Sequence, residues 1–276
     1  MVLIFILALL IGFLSAFVGS LVGLGGGTIL IPCLLLLNQY VEAFDWATPQ
    51  AVVGLSLLVM VFTAASSSFS YIRNKRVDLK SGFLFLAGIV PGGILGAWIN
   101  QFFEEDNFAL YFGILMFIMF GLMSLKKKER NVRINEHSRW YIHSKMELGG
   151  KSYSYSYAWL VAILLTFFVG ALSGAFGIGG GSMLVPAMIL LFGFPSHVAT
   201  ATSMFLILFL SIGSTVAHGT MGHIPWHYVA FFIPGSLLGG LTGAFVNQRM
   251  KGQTIEFILR IILLLIGIRL IWQAIG

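Results

Sequence analysis

One ten-residue pattern occurs twice, GLGGGTILIP from Gly23 to Pro32 and GIGGGSMLVP from Gly177 to Pro186, each inside a long apolar run. Each of three successive glycines weakens a helix by about 1 kcal/mol relative to alanine, and the proline that follows removes another backbone donor. No straight helix runs through such a segment. Because proline is comfortable only in a helix's first turn, the spacing predicts an incoming helix, an unwound glycine segment and a short helix starting just before Pro32 or Pro186. The first turn of that helix presents free N–H groups. In a bilayer, irregular backbone survives only where protein or a cavity surrounds it, and half-helix N-termini there bind anionic groups. Glycines that merely let two helices pack closely would account for one copy, and less well for two with the same proline spacing.

The runs around these breaks decide the class of protein. Hydrophobic residues make up 58% of the 276-residue chain and charged residues 9%, more apolar surface than a soluble fold can bury. Several runs reach the roughly 20 residues needed to cross hydrocarbon as helix, and the alternation expected of barrel strands is absent. As one helix, the run from Val2 to about Leu37 would be roughly 54 Å long against about 30 Å of hydrocarbon, so it must break. Its start lacks a basic n-region and stays apolar past any cleavage site, which reads as a retained helix. Further spans are expected at about Pro49 to Tyr71, Ser81 to Phe102 and on to Leu125. The predicted fold is all-α: a polytopic membrane protein of about eight transmembrane helices in two homologous halves, each with a Gly-rich broken helix.

Residues 1–125 form the first transmembrane repeat, 126–157 a basic cytoplasmic linker, and 158–276 the second repeat. The breaks align at an offset of 154 and the following spans at 147, with PGGILGAWIN echoed by PGSLLGGLTGAFVN. Such duplication marks secondary transporters, whose site lies at the repeat interface. Whether the halves are parallel or inverted depends on whether each broken run passes once or twice, and two charges in the loops do not decide it. The net charge of +6 follows from Lys and Arg beside the spans, as the positive-inside rule requires, and not from a nucleic-acid surface. Within the linker, SYSYSY shows no hydrophobic period; the alternative to a linker is a small ordered subdomain or an amphipathic surface helix, with Trp140 and Tyr141 at the membrane interface. The single cysteine, Cys33, excludes an intramolecular disulfide and a multi-cysteine metal site.

Candidate chemistry collects at and after the breaks. Thr28 and Ser182 follow Gly25, Gly26, Gly27 and Gly179, Gly180, Gly181, where each hydroxyl could donate to an anion held by backbone amides or cap the short helix. The ending lacks the Gly-Lys-Ser/Thr of a phosphate-binding loop, which disfavours nucleotides. At the next span Gln50 aligns with His197 and Ser56 with Ser203. Polar groups inside a span are site candidates by default, or interhelical bonds worth about 0.6 kcal/mol each. Tyr71 aligns with His218, and His223 and His227 follow. A metal reading of these histidines lacks a nearby acid or cysteine and a helix to set ligand spacing. A proton-sensitive role fits histidine better. Glu256 and Arg260 have the spacing of an ion pair on one helical face.

The doubled GxGGG motif with a proline five residues after its third glycine, the serine-containing start of the next span, the PGxxLG motif and the basic central loop resemble the TauE/SafE family of sulfite exporters. The resemblance covers nearly the whole chain. It implies a multi-pass permease of the inner (plasma) membrane for sulfite or organosulfonate anions, driven by an ion gradient. VGLSL in the first half departs from the family's GTSL-like run, whereas ATSM keeps the threonine at Thr202. The expected substrate site is Gly25, Gly26, Gly27, Thr28, Ser56, Gly179, Gly180, Gly181, Ser182, Thr202 and Ser203, with Gln50, His197, Tyr71 and His218 as candidate coupling residues. No cofactor, metal or nucleic acid is expected; the partners are a small anion and the lipid bilayer, with a homodimer left open. The other readings are a passive anion channel and an intramembrane enzyme using His218, His223 and His227. The sequence offers that enzyme no nucleophile or carboxylate at a working spacing.

Overall fold

In the computed structural model, residues 2–103, 105–124, 140–148 and 151–275 are described. Ten helices run in chain order: α1 (Val2–Val22), α2 (Gly27–Tyr40), α3 (Pro49–Arg73), α4 (Leu79–Asn100), α5 (Glu105–Ser124), α6 (Trp159–Phe176), α7 (Gly181–Leu190), α8 (Ser196–Thr220), α9 (Trp226–Asn247) and α10 (Gly252–Ile275). Six of them, α1, α3, α4, α6, α8 and α9, are long and apolar enough to cross a bilayer. The protein is thus a predominantly helical, multi-pass membrane protein. Helices α2 and α7 are apolar but shorter.

Each half surrenders its helices to the other. Helix α1 packs along α9 and α4 along α6. Small residues four apart make these contacts: Cβ atoms added at Gly235, Gly239 and Gly243 would collide with the carbonyls of Leu9, Phe13 and Phe17, and those at Gly88, Gly92 and Gly96 with Ile163, Phe167 and Ala171. Without a hydrophobic drive between helices in lipid, such close backbone approach supplies the packing energy. The numbering rises together on both sides of each contact, so the paired helices are parallel. Equivalent helices of the two halves are antiparallel. Gly54 near the start of α3 lies against the His223 carbonyl beyond the end of α8, while Arg76 beyond the end of α3 reaches His197 at the start of α8. The repeats are therefore inverted, as they are if each broken run passes twice.

One end of the bundle holds the basic turn after α3 and the turn after α9, joined where Arg76 donates to the Gln248 carbonyl at 2.9 Å. The other holds the segment with Glu42 and Asp45, where Trp46 stacks on Tyr228 at 4.4 Å. Part of the linker is folded against the basic end. Strands β1 (Tyr141–Leu148) and β2 (Lys151–Ala158) form an antiparallel hairpin in which Ser144 faces Tyr155. SYSYSY does have a period, the two-residue period of a strand: Tyr155 and Tyr157 are buried, and Tyr155 lies 4.0 Å from Phe194. Residues 126–139, 149 and 150 lie outside the described residues.

The hairpin is fastened to Asp78, the N-cap of α4. Its Oδ2 accepts from Ser81 at 2.6 Å, Tyr155 at 2.7 Å and Ser144 at 2.8 Å, and its Oδ1 from the Ser81 amide. Tyr157 donates to Ser81 at 2.6 Å. Burial alone would raise the Asp78 carboxyl, but these hydrogen bonds outweigh it and hold the group below its usual range. Burial, opposed by Ser81 and aided by Asp78, pushes Tyr157 up to about 12.

Candidate functional site

At both breaks the chain turns through left-handed backbone that glycine alone adopts without strain: Gly26 has φ 98° and Gly180 φ 73°. Helices α2 and α7 begin immediately after, at Gly27 and Gly181. This corrects the expected start beside the prolines. Pro32 and Pro186 sit in the second turn, where the missing N–H and ring are tolerated because these helices are short and enclosed.

The third glycine of each break is required for a different reason. A Cβ on Gly27 would overlap the Gly177 carbonyl, and one on Gly181 would overlap the Gly23 carbonyl. Gly25 and Gly179 both lie beside Met60 and Ile207, which occupy equivalent positions of the two halves. The two glycine segments thus run antiparallel across a pseudo-twofold axis, Gly23 beside Gly181 and Gly27 beside Gly177. Their residues are buried.

Ending a helix inside the protein leaves carbonyls without partners, and here side chains of other helices supply them. Ser203 donates to Gly23 O and Ser56 to Gly177 O, both at 2.9 Å. Asn247 donates to Leu21 O at 2.6 Å and Asn100 to Ala175 O at 2.7 Å. Tyr71 donates to Ser20 O at 2.8 Å. Its counterpart His218 approaches Gly174 O at 3.4 Å. Every one of these contacts obeys the inverted symmetry.

The donors of the outgoing helices are treated oppositely. The first amides paired beyond the breaks are those of Ile29 to Gly26 O and Met183 to Gly180 O. Among the described residues, no acceptor pairs with the amides of Gly26, Gly27 and Thr28 or of Gly180, Gly181 and Ser182. Thr28 and Ser182, both fully buried, also have hydroxyls with no partner. With these donors free, the paired break carries the partial positive charge of two helix N-termini. Free N–H groups at helix N-termini favour negative charge.

The structure sorts the expected site residues. Gly25, Gly26, Gly27, Thr28, Gly179, Gly180, Gly181 and Ser182 come together at the axis. Ser56 and Ser203 adjoin them, but their single protons are directed at backbone carbonyls, so they clamp the breaks. Thr202 stands apart, its hydroxyl accepting from the Asp78 amide at 3.0 Å. Gln50 donates to Phe103 O at 2.9 Å. His197 meets Arg76, and His218 meets His223 with their Nδ1 atoms 3.1 Å apart. His227 is exposed, and among the described residues no three His, Cys, Asp or Glu side chains converge as metal ligands. Glu256 does not form the expected ion pair; it accepts from Ser196, and Nε of Arg260 has no partner. Sequence reasoning missed Asn100 and Asn247, which end the two PG-containing spans at equivalent positions, a signal visible in the repeat. It also missed Asp78.

Comparison with known proteins gives the same outline. The profile of the family described as "Sulfite exporter TauE/SafE" matches residues 8–270. The "Probable membrane transporter protein YunE" of Bacillus subtilis is 43% identical over 271 residues, 98% of each chain. A "Probable membrane transporter protein" of Xylella fastidiosa is 28% identical, covering 95% of this chain and 93% of its own. One from Methanocaldococcus jannaschii is 25% identical over 95% and 93%. No solved structure matches the chain.

Proposed function

Because the chain belongs to the TauE/SafE family of sulfite exporters, we propose that it is a membrane transporter whose substrate is a small sulfur oxyanion, sulfite or an organosulfonate, moved at the expense of an ion gradient. The observation that carries this reading is the set of free donors at the paired break: six buried amides and two buried hydroxyls without acceptors. The anion is held by the amides of Gly26, Gly27, Thr28, Gly180, Gly181 and Ser182 and by the hydroxyls of Thr28 and Ser182. Ser56 and Ser203 keep the two segments in place. No cation is part of this set, which suits an anion that must be released as readily as it is bound. The inverted repeats supply the means of alternating access, since exchanging the conformations of the two halves exposes the axis to either side.

Thermal stability of the purified protein tests the reading, because a ligand bound to the native state stabilises it by about 2.7 kcal/mol at a hundredfold excess over Kd. Sulfite or a small sulfonate is expected to raise the melting temperature and chloride is not. Folded protein unmoved by any sulfur oxyanion would remove the substrate assignment.

A further inference from the structure

We propose that the basic face carries a second anion site, built on Arg76 and His197, that loads the paired break from that side. It rests on the transport reading for the identity of its ligand, a small sulfur oxyanion.

Arg76 is half-buried, and among the described residues none of its contacts is a carboxylate: one N–H group donates to Gln248 O at 2.9 Å and another meets His197 Nδ1 at 3.4 Å. A guanidinium has five donors, so three remain. His197, its Nδ1 taken as acceptor by Arg76, carries its own proton on Nε2, on the side that meets Asn247. The first paired amide of α8 is that of Ala199, to Pro195 O, so the helix start that bears His197 adds its dipole to the guanidinium. Both contributions favour negative charge, and the nearest acid in sequence, Asp78, is already consumed by four hydrogen bonds.

Inversion shows that the fold does not require a cation here. Arg76 and His223 are equivalent, and each closes the same turn with its backbone amide, Arg76 to Tyr71 O and His223 to His218 O, both at 3.0 Å. On the acidic face that turn is built with imidazole. Only the basic face, which the Lys/Arg bias makes cytoplasmic, has a permanent charge at the position. The site is also linked to the break through the end of α9: Gln248, which Arg76 holds, follows Asn247, which holds Leu21 O two residues before Gly23.

Sulfite transport in proteoliposomes, with KM measured separately at each face, tests the site. Arg76→Gln is expected to raise KM at the basic face about tenfold or more, the worth of a charge-assisted hydrogen bond, and to leave KM at the acidic face unchanged. Arg76→Lys is expected to recover most of the loss. An unchanged basic-face KM in Arg76→Gln overturns the proposal, as does Arg76→Lys behaving like Arg76→Gln at equal melting temperature. Should the wild-type protein transport no sulfur oxyanion, the transport reading fails instead. The site is then decided by sulfite binding to the purified protein: binding that Arg76→Gln abolishes upholds it, and binding indifferent to Arg76 overturns it.

Discussion

Replacing Gly181 with alanine places a methyl group on the Gly23 carbonyl and within 2.8 Å of the Gly23 carbonyl carbon. Both are backbone atoms, so no side chain can swing aside, and the two glycine segments must separate by roughly 1 Å to restore van der Waals contact. Overpacking of this kind costs about 1–3 kcal/mol. The displaced carbonyl is also the acceptor of Ser203, and weakening that bond adds about 0.5–1.5 kcal/mol. Gly181→Ala is therefore expected to cost about 1.5–4.5 kcal/mol. Gly180→Ala differs in mechanism: its φ of 73° costs an L-residue about 1–2 kcal/mol, but the new methyl meets only side-chain atoms at 3.3 Å or more. Gly121→Ala, in α5 with no atom within 4 Å, is expected to be neutral or to gain up to about 1 kcal/mol of helix propensity. Thermal unfolding in one detergent should rank the variants Gly121→Ala, wild type, Gly180→Ala, Gly181→Ala, from most to least stable. A Gly181→Ala protein that melts with the wild type would refute the close antiparallel approach of the breaks.

Other residues give independent tests. Ser203→Ala leaves the buried Gly23 carbonyl without its donor and should cost about 1–3 kcal/mol; Ser56→Ala should cost a similar amount by symmetry, and melting curves read both. Asp78 has a folded pKa below its unfolded value of about 3.9. Its stabilisation is therefore complete above about pH 4 and is lost as pH falls through the folded value. Melting temperature against pH should fall across that window in the wild type and more shallowly in Asp78→Asn, which begins lower; parallel curves would show that Asp78 does not fasten the hairpin.

The helical architecture was legible because lipid imposes a length, and the breaks because three glycines and a proline contradict every neighbouring preference. The duplication aligned Ser56 with Ser203 and Tyr71 with His218, and these pairs do make equivalent contacts. What they contact was not legible: a serine donating to a carbonyl and one donating to an anion have the same sequence. Inversion was also hidden, since it depends on which helices pack together, and the small residues of α4 and α9 do not name their partners. The prolines misled about where α2 and α7 start, because the left-handed turns at Gly26 and Gly180 begin each helix one turn earlier and leave the proline in the second turn. The hairpin was passed over because the apolar faces of Tyr155 and Tyr157 alternate with serine in a strand period, in a segment read for helices.

Transport by Thr28→Val and Ser182→Ala, singly and together, bears most directly on the paired break as the anion site. Both hydroxyls are buried and without hydrogen-bond partners, so removing them should leave the melting temperature unchanged or slightly raised. Sulfite flux in proteoliposomes should fall about tenfold or more in the double variant, with a matching loss of the sulfite-induced thermal shift. Full flux from the double variant, at equal reconstitution, would contradict the assignment.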